Sequence, residues 1–329
     1  MRQGATDHAR DPATFHLMNE IEAPTPNFRI LSLDGGGAKG FYTLGVLTEL
    51  EAMLGGELLS TKFDLIFGTS TGAIIASLLA LGKPVAEVYK LYEKHVPNLM
   101  ALRGSSTRSA ALERIAACVY KDTKFDSMKT GIGIVAARWL EERPMIFKAT
   151  ANQAHGMKAT FQPGFGCTVA EAVVASCSAY PIFDRKVITI ATGDQVELID
   201  GGYCANNPTL YAIADAIAAL KLQRQQLRVV SIGVGNYPEP TKYWHKWVIS
   251  KFFLVRLLQK TLGTNTHSME ILAGILFDDV PMVRVNDTYS TPDMAADLME
   301  HDIKKLQLLF RRGRESFGKH ETSLRKLLT

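Results

Sequence analysis

A serine between two glycines is the feature of this sequence best suited to chemistry. The motif Gly68-Thr69-Ser70-Thr71-Gly72 has GxSxG spacing and lies between an apolar segment, KFDLIFG, and a helical pattern, TGAIIASLLALG. A nucleophile elbow needs such a strand-to-helix turn, in which the glycines avoid steric conflict and the serine hydroxyl stays exposed at the helix N-terminus. Ser70 is therefore a candidate nucleophile. The alternative is a small-residue turn that only caps a helix.

A glycine cluster forms the second feature. The sequence DGGGAKG, Asp34 to Gly40, follows the apolar segment FRILSL and opens a helical pattern, GFYTLGVLTELEAMLG. Three successive glycines allow backbone N–H groups to point into one concavity, which can hold a tetrahedral oxyanion as a preorganised set of donors. The cluster therefore suits a reaction in which negative charge develops on an oxygen.

The same cluster also fits a nucleotide-binding interpretation. Gly35, Gly37 and Gly40 have the spacing of the dinucleotide fingerprint, which requires an acidic residue at the end of the second strand, about 20 residues further on. The second predicted strand, Phe63 to Gly68, ends instead in the serine turn. A P-loop fits less well, because no Ser or Thr directly follows Lys39. A dinucleotide-dependent oxidoreductase is therefore the weaker alternative.

An aspartate before two glycines forms the third feature. Asp200-Gly201-Gly202 ends the β-rich segment QVELID and precedes a helical pattern, NNPTLYAIADAIAALKL. An aspartate at such a turn can act as the general base for a serine when the two side chains meet. Taken alone, the same residues also fit an ordinary Asp-Gly turn.

The order of elements predicts that the three features converge. Segments 28–34 and 63–68 each lead through a turn into a helical pattern, and two consecutive strand-to-helix units favour a parallel sheet. Further strands are predicted over Pro144 to Asn152, in QVELID and in LRVVSIGVG, whereas residues 83–143 are predicted to form helices and loops. Because parallel strands bring their carboxyl ends to one edge, we expect the three features to meet in one crevice.

Composition and charge place the protein among folded globular proteins. The 329 residues are 47% hydrophobic and 21% charged, and 37 Lys and Arg nearly balance 33 Asp and Glu. These values argue against a disordered chain and a general nucleic-acid coat, so no DNA or RNA partner is expected. No apolar run is long enough for a signal-peptide core or a membrane span. The cysteines lack metal-ligand spacing and are predicted to be buried, reduced thiols: Cys118, Cys167, Cys177 and Cys204.

With the glycine cluster, the GxSxG turn and the Asp-Gly-Gly turn in this order, the sequence resembles the patatin-like phospholipases over about residues 28 to 235. That family combines a DGGGxRG or DGGGxKG loop, a GxSxG elbow and a DGA or DGG turn. The resemblance implies a three-layer α/β/α fold with a mostly parallel sheet and, here, a helical C-terminal extension. The predicted organisation is an N-terminal arm over 1–26, a catalytic core over 27–240, and an extension over 241–329 that packs on the core or acts as a lid or regulatory element.

The resemblance also implies the site and the reaction. Ser70 would be the nucleophile and Asp200 the base of a Ser-Asp dyad, which forms and then hydrolyses an acyl-enzyme without a metal or other cofactor. The oxyanion donors would be the amides of Gly36, Gly37 and Ala38, and the motif glycines are Gly35, Gly40, Gly68, Gly72, Gly201 and Gly202. Gly202 departs from the alanine that the family more often has after Asp-Gly, which leaves the assignment of the base intact.

Two alternatives to a Ser-Asp phospholipase stay open. A Ser-His-Asp esterase or lipase would share the elbow and the sheet, with His245, His267 or His301 as its late histidine. Each of these histidines lies in a helical pattern, which favours the dyad. A catalytically inert lipid-binding protein is the second alternative.

A basic amphipathic segment follows the predicted core. KYWHKWVISKFFLVRLLQK, residues 242–260, holds five Lys and Arg and neither Asp nor Glu. On a helix its basic residues fall opposite its Trp and Leu residues. Lys246, Arg256 and Lys260, together with Lys39 of the glycine cluster, are therefore candidate contacts to a lipid headgroup or a nucleotide phosphate. The alternative is a helix that packs its apolar side on the sheet and leaves its lysines in solvent.

The length and the late helices resemble a narrower group of the family, the bacterial antiviral (CBASS) effector phospholipases that a cyclic dinucleotide activates. By this resemblance, the nucleotide would bind away from the dyad and direct the enzyme to membrane phospholipids. No residue of a nucleotide site can be identified by position. The expected location is cytoplasmic, with peripheral binding at the inner face of the membrane when the enzyme is active, and homo-oligomerisation is left open.

Overall fold

Eight strands form one mixed sheet in the computed structural model, which describes residues 27–156, 158–238 and 249–329. The N-terminal arm predicted for residues 1–26 lies outside these ranges. The strands are β1 (Phe28–Leu33), β2 (Leu65–Thr69), β3 (Gly131–Arg138), β4 (Arg143–Lys148), β5 (Lys186–Thr189), β6 (Gln195–Asp200), β7 (Leu227–Ile232) and β8 (Met282–Val285). Their order is β5-β6-β3-β2-β1-β7-β8, with β4 also paired to β3.

The centre of the sheet is parallel and one side of it is antiparallel. β3, β2, β1, β7 and β8 run in one direction. β4 and β6 pair with β3 in the opposite direction, and β5 is antiparallel to β6. The parallel part therefore places the ends of β1 and β2 side by side, as βαβ units require.

Ten α-helices accompany the sheet within the described residues. They are α1 (Gly40–Met53), α2 (Leu59–Lys62), α3 (Thr71–Ala80), α4 (Val85–Ala101), α5 (Ser105–Tyr120), α6 (Val169–Ser176), α7 (Gly202–Ala205), α8 (Thr209–Ala214), α9 (Ile249–Leu276) and α10 (Ile303–Leu328). Local sequence explains several boundaries. Thr168 and Glu171, for example, form a capping box that begins α6.

Apolar side chains cover both faces of the sheet. In β1, Leu31 and Leu33 join one buried cluster with Phe41 of α1, whereas Ile30 joins a second cluster with Ile213 of α8. This alternation follows from the two-residue period of a strand. Helices therefore pack on each face, and the predicted three-layer α/β/α fold is confirmed.

The C-terminal helix α10 packs directly against α1. An added Cβ on Gly45 would lie 2.0 Å from the Phe310 oxygen, and one on Gly313 would lie 2.0 Å from the Tyr42 oxygen. The buried Tyr42 hydroxyl also donates to Ser316 Oγ at 2.6 Å. The two helix backbones can approach this closely only because glycine stands at both contact points.

The central strand β3 differs from the sequence prediction. It lies within residues 83–143, which were expected to form helices and loops, and its sequence GIGIVAAR mixes apolar residues with glycine and alanine that weaken a strand pattern. Gly133 is needed there because the Phe67 ring packs on it, with Cζ 2.2 Å from the position of an added Cβ. β4 forms within a predicted strand, but its direction is antiparallel. β8, within the predicted extension, adds a further parallel strand to the sheet.

The four cysteines are free thiols, as predicted. Cys167 and Cys177 are buried as predicted and Cys204 is partly buried, but the prediction of burial is wrong for Cys118, which is exposed. None of the helices in the described ranges is long and apolar enough to cross a bilayer.

Candidate active site

Ser70 lies on a sharp turn between β2 and α3. Its φ of 54° is in the left-handed region, as expected for the strained turn of a nucleophile elbow. The flanking glycines permit the turn, because an added Cβ on Gly68 would lie 2.3 Å from the Gly72 oxygen and one on Gly72 would lie 2.2 Å from the Leu33 oxygen. The Ser70 N–H donates to Ser176 Oγ at 2.9 Å, which holds the elbow against α6.

Asp200 reaches the same edge of the sheet from an antiparallel strand, which differs from the expectation of parallel strands at all three motifs. Thr69, the residue before Ser70, pairs with Val135 of β3. Asp200 pairs with the next residue of β3, Ala136. The aspartate is therefore level with Ser70. Gly201 permits this close approach, because an added Cβ would lie 2.1 Å from a backbone oxygen of β3.

The Asp200 carboxyl group is buried and is held at one oxygen. Oδ1 accepts the Gly202 N–H at 2.7 Å, whereas Oδ2 completes no hydrogen bond within the described part of the chain. Burial raises the pKa of Asp200 to about 6, and the neighbouring Ser70 hydroxyl and Gly202 amide oppose this rise. A carboxylate with a raised pKa and one unengaged oxygen is suited to accept the Ser70 proton.

The glycine cluster turns beside Ser70, and its amides differ in availability. The Gly36 and Gly37 N–H groups make no hydrogen bond to other described residues, and both glycines line the cavity that contains Ser70. The Ala38 N–H instead donates to the Leu298 carbonyl at 3.0 Å. In this conformation a carbonyl oxygen already occupies the Ala38 amide, which leaves the Gly36 and Gly37 amides as the predicted oxyanion donors without a hydrogen-bond partner among the described residues.

A buried ion pair holds the first residue of the glycine cluster. Arg284 of β8 donates from Nη1 to Asp34 Oδ1 at 2.9 Å and from Nη2 to Oδ2 at 2.5 Å. The same guanidinium donates to Ser231 at 2.9 Å and to Glu270 at 3.3 Å. Burial raises the pKa of Asp34, and the guanidinium opposes that rise. Because a bidentate pair has a defined geometry, it positions the start of the loop.

Ser70 and Asp200 face a largely apolar cavity of about 620 Å³. Helices α3, α4, α5 and α9 and the segment after α6 contribute its apolar lining, which includes Ile74, Leu99, Leu112, Ile182, Phe183 and Leu262. A nucleophile at the wall of such a cavity suits an ester that is joined to a hydrocarbon chain.

Packing of α9 explains the glycine at position 202. An added Cβ on Gly202 would lie 2.7 Å from Leu262 Cδ2 and 3.0 Å from Asp200 Oδ1. Leu262 is itself buried and lines the cavity. The alanine that is more common after Asp-Gly would therefore require the Leu262 and Asn206 side chains to move.

Of the four candidate headgroup or phosphate contacts, the three that the structure describes, Lys39, Arg256 and Lys260, do not line the cavity of Ser70. Lys39 lines a second, more polar cavity of about 490 Å³ that adjoins the glycine cluster. Burial lowers the pKa of Lys39 to about 8, and the carboxylates of Asp297 and Asp34 oppose this shift. Arg256 and Lys260 are exposed on α9, and Lys246 lies outside the described residues.

Histidine does not line the cavity of Ser70 within the described ranges. His267 borders the second cavity, His301 is exposed with Nδ1 3.2 Å from the Met299 oxygen, and His245 is outside the described residues. Groups of three or more His, Cys, Asp or Glu arranged for a metal ion are also absent from those ranges. In this cavity the carboxylate beside Ser70 is Asp200.

Sequence analysis missed two residues that shape the site, Arg284 and Leu298. Both are distant in sequence from the glycine cluster, and the Arg284–Asp34 pair spans 250 residues. The apolar run PMVRVN around Arg284 was the signal that could have indicated a strand with a buried charge. Leu298 has no comparable signal, since its contact uses a backbone carbonyl that any residue would supply.

The elbow, the buried aspartate and the glycine loop have the arrangement that a serine acyl hydrolase requires. In agreement, the model of the patatin-like phospholipase family matches residues 31–213. The chain is 58% identical to a cUMP-AMP-activated phospholipase of Escherichia coli, over 91% of this chain and 93% of that protein. It is 28% identical to a cGAMP-activated phospholipase of Pseudomonas aeruginosa, over 84% of this chain and 83% of that protein.

Among solved structures, VipD from Legionella pneumophila aligns with 92% of this chain and 67% of its own, with 12% identity and a TM-score of 0.47. The family match covers more than half of the chain. The chain therefore belongs to the patatin-like phospholipase family.

Proposed function

We propose that this protein cleaves phospholipid esters of the cell's own membrane through Ser70 and Asp200, and that a cyclic dinucleotide activates it. The observation that carries the hydrolase is the position of Ser70 on a strained elbow, level with the buried Asp200, in an apolar cavity. The names of the related cUMP-AMP- and cGAMP-activated phospholipases support the activation.

The first half of the reaction transfers an acyl group to the enzyme. Ser70 Oγ attacks the ester carbonyl carbon while Asp200 Oδ2 accepts the hydroxyl proton. The Gly36 and Gly37 N–H groups and the N-terminus of α3 stabilise the oxyanion, and one such donor typically contributes about 3 kcal/mol. When the tetrahedral intermediate collapses, the bond to the leaving oxygen breaks and Asp200 returns the proton. The product that leaves is a lysophospholipid.

The second half returns the serine. Water enters the position of the departed alcohol, gives a proton to Asp200 and forms a bond to the acyl carbon. Collapse of this second intermediate breaks the bond to Ser70 Oγ, which recovers its proton from Asp200. A free fatty acid is released, and neither half requires another base.

The proposed setting is the cytoplasm, with peripheral binding to the inner face of the membrane during antiviral defence. An unrestrained phospholipase there would damage the cell that makes it. Activation by a ligand present only during infection would avoid this damage. The polar cavity beside the glycine cluster and the exposed basic residues of α9 offer phosphate contacts to such a ligand.

A lipid-release assay tests both parts of the proposal. The full chain is mixed with vesicles of phosphatidylethanolamine and phosphatidylglycerol, and free fatty acid is measured with cUMP-AMP, with cGAMP and with linear UpA as the nucleotide control. We expect low basal release, strong stimulation by a cyclic dinucleotide, and no release by Ser70→Ala. Release that is high without nucleotide and unchanged by all three would contradict activation. Release that Ser70→Ala retains would contradict the assigned nucleophile.

A further inference from the structure

Large apolar and aromatic side chains are exposed together beyond the edge of the sheet that carries Ser70. The exposed fractions are 38% for Trp139, 76% for Leu140, 43% for Tyr180 and 50% for Val187. The Trp139 and Tyr180 ring centroids are 6.1 Å apart, and the Arg185 guanidinium lies 4.9 Å from the first ring and 5.8 Å from the second. We call these five residues the rim cluster.

The strand register fixes the height of the rim cluster above the site. Asp200 pairs with Ala136 of β3, and Trp139 follows three residues later in the turn between β3 and β4. The Trp139 N–H donates to the Glu197 carbonyl, and Glu197 pairs with Val187 of β5. At the rise of a strand, the cluster begins about 10 Å beyond the level of Ser70 and Asp200.

The rim cluster is also continuous with the substrate cavity. Tyr180 is the exposed member of a turn in which Ala179, Ile182 and Phe183 line that cavity. The Tyr203 hydroxyl donates to the Tyr180 carbonyl at 2.5 Å, which fixes the turn to α7 directly after the catalytic aspartate. An acyl chain that enters the cavity from this side would pass the exposed rings.

The chemistry of the rim cluster matches the interface between lipid headgroups and acyl chains. Trp and Tyr prefer this depth because each has an apolar ring with a polar edge, and a stacked guanidinium tolerates it. The charges beside the cluster are balanced, with the ion pairs Arg138–Glu141 at 3.0 Å, Arg185–Glu197 at 3.3 Å and Lys186–Glu113 at 2.6 Å. Binding here would therefore depend on burial of apolar surface and only weakly on anionic lipid.

We propose that the rim cluster is the surface by which this enzyme docks on a phospholipid bilayer, with Trp139 and Leu140 inserted at headgroup depth beside the cavity mouth. The proposal rests on the proposed phospholipase function, since the bilayer is the source of its substrate. It differs from the basic segment 242–260 as a lipid contact, because that segment would require anionic headgroups.

The test separates docking from chemistry with two substrates. Trp139→Ser/Leu140→Ser is compared with the wild type on phosphatidylcholine vesicles and on the soluble ester p-nitrophenyl butyrate, both with cUMP-AMP present. Loss of two apolar side chains that would be buried in the bilayer is expected to reduce vesicle hydrolysis about tenfold or more. Hydrolysis of the soluble ester should stay within about twofold of the wild type, because neither residue lines the cavity.

A matched control removes exposed apolar side chains at the opposite end of the sheet. Ile271 and Ile275 of α9 are 61% and 67% exposed. The carbonyl of Leu276, at the end of this helix, accepts a hydrogen bond from Arg224, which lies just before the start of β7. Ile271→Ser/Ile275→Ser should hydrolyse both substrates like the wild type. Vesicle cosedimentation is measured with Ser70→Ala added to the wild type and to both double variants. Binding should be reduced in the rim variant and equal to that of the wild type in the control.

Each contrary result has a distinct meaning. Equal loss of both substrates in the rim variant would show a structural role and overturn the proposal. Unchanged vesicle binding by the rim variant would also overturn it. Cosedimentation of the Ser70→Ala protein is therefore measured with both phosphatidylcholine and phosphatidylglycerol vesicles. Binding to phosphatidylglycerol vesicles alone would overturn the proposal, and so would binding to neither kind of vesicle, which would point to a protein partner. Failure of the wild type on both substrates would instead contradict the phospholipase function.

Discussion

At the scale of single residues, the proposed chemistry depends on a serine that contributes little to packing. Ser70 is only partly buried, and its backbone N–H rather than its hydroxyl holds the elbow. We expect Ser70→Ala to abolish fatty-acid release while circular dichroism and the unfolding midpoint stay unchanged. Ser268→Ala, at an exposed position of α9, is the control and should keep full activity. Equal turnover by the two variants would remove Ser70 from its role.

The raised pKa of Asp200 predicts how activity depends on pH. Because burial raises that pKa to about 6, the carboxylate that accepts the Ser70 proton is lost as pH falls through 6. We expect kcat/KM on a soluble ester to fall about tenfold per pH unit below pH 6 and to be level above it. A profile that is flat from pH 5 to 8 would show that Asp200 is not the base.

The same shift predicts an unusual effect on stability. The pKa of Asp200 is about 6 in the folded protein, whereas its ordinary value is 3.8. The folded state therefore binds the proton more tightly than the unfolded state does, and at neutral pH the ionised carboxylate destabilises the folded state. Asp200→Asn keeps the acceptor for the Gly202 N–H and removes the buried charge. We expect this inactive variant to exceed the wild type in free energy of unfolding by up to about 3 kcal/mol at pH 8.

The pH dependence of that difference provides its own check. The advantage of Asp200→Asn should shrink as pH falls from 6 to 4, because the wild-type carboxyl group then becomes neutral in the folded state. Urea denaturation at a series of pH values measures it. A difference that is constant with pH would mean that the charge of Asp200 is not its cause.

At the scale of elements, the close packing of α1 and α10 depends on glycine. Gly313→Ala would place a Cβ 2.0 Å from the Tyr42 oxygen, so the helices must separate. We expect a loss of about 1 to 3 kcal/mol in the free energy of unfolding. Gly318 lies in the same helix with nothing within 4 Å of an added Cβ, and Gly318→Ala should stabilise the protein by up to about 1 kcal/mol. Equal effects of the two substitutions in thermal unfolding would contradict this packing.

The ion pair between β8 and the glycine cluster predicts a second effect at this scale. Arg284→Met would leave the buried Asp34 carboxylate without its bidentate partner, and we expect a loss of about 3 to 5 kcal/mol in stability. The double variant Arg284→Met/Asp34→Asn removes both charges and should recover much of that loss. Urea denaturation of the wild type, both single variants and the double variant gives the coupling energy. Additive effects of the two substitutions would show that the pair is not coupled.

At the scale of the whole molecule, the C-terminal third takes part in the same sheet and core as the motifs. β8 pairs with β7, and Leu306 and Leu309 of α10 are buried. A chain that ends at residue 240, the boundary predicted for the catalytic core, is therefore expected to lack cooperative unfolding and to resist labelling by a fluorophosphonate probe. A soluble, labelled product of this truncation would establish 27–240 as an independent domain.

Local patterns explain which parts of this molecule were predictable. The strand-turn-helix units around residues 34 and 70 combine apolar segments with turn glycines that are adjacent in sequence, so their structure could be inferred from spacing. β3 was missed because Gly131 and Gly133 interrupt its β-rich residues, and its burial depends on the ring of Phe67. The antiparallel direction of β6 was also missed, since direction depends on how β5 and β6 return to the sheet.

The parts of the site that could not be predicted are contacts between distant segments. Spacing identifies Asp34 and its glycines, but no local pattern indicates that Arg284 would pair with this aspartate or that Leu298 would occupy the Ala38 amide. The exposure of Trp139 and Tyr180 is likewise a property of the folded surface. Composition reports that such residues are present, and only the fold shows that they lie together.

The 250-residue separation of Asp34 and Arg284 has a consequence for synthesis of the protein on the ribosome. Both residues of the proposed dyad have been polymerised when Asp200 is added, yet Arg284, which holds Asp34 of the glycine cluster, is added 84 residues later. At about 5 to 20 residues per second, this delay is roughly 4 to 17 seconds. A nascent chain therefore contains Ser70 and Asp200 before Arg284 can hold the glycine cluster, so we expect the proposed activity to develop only after residue 284 has been added.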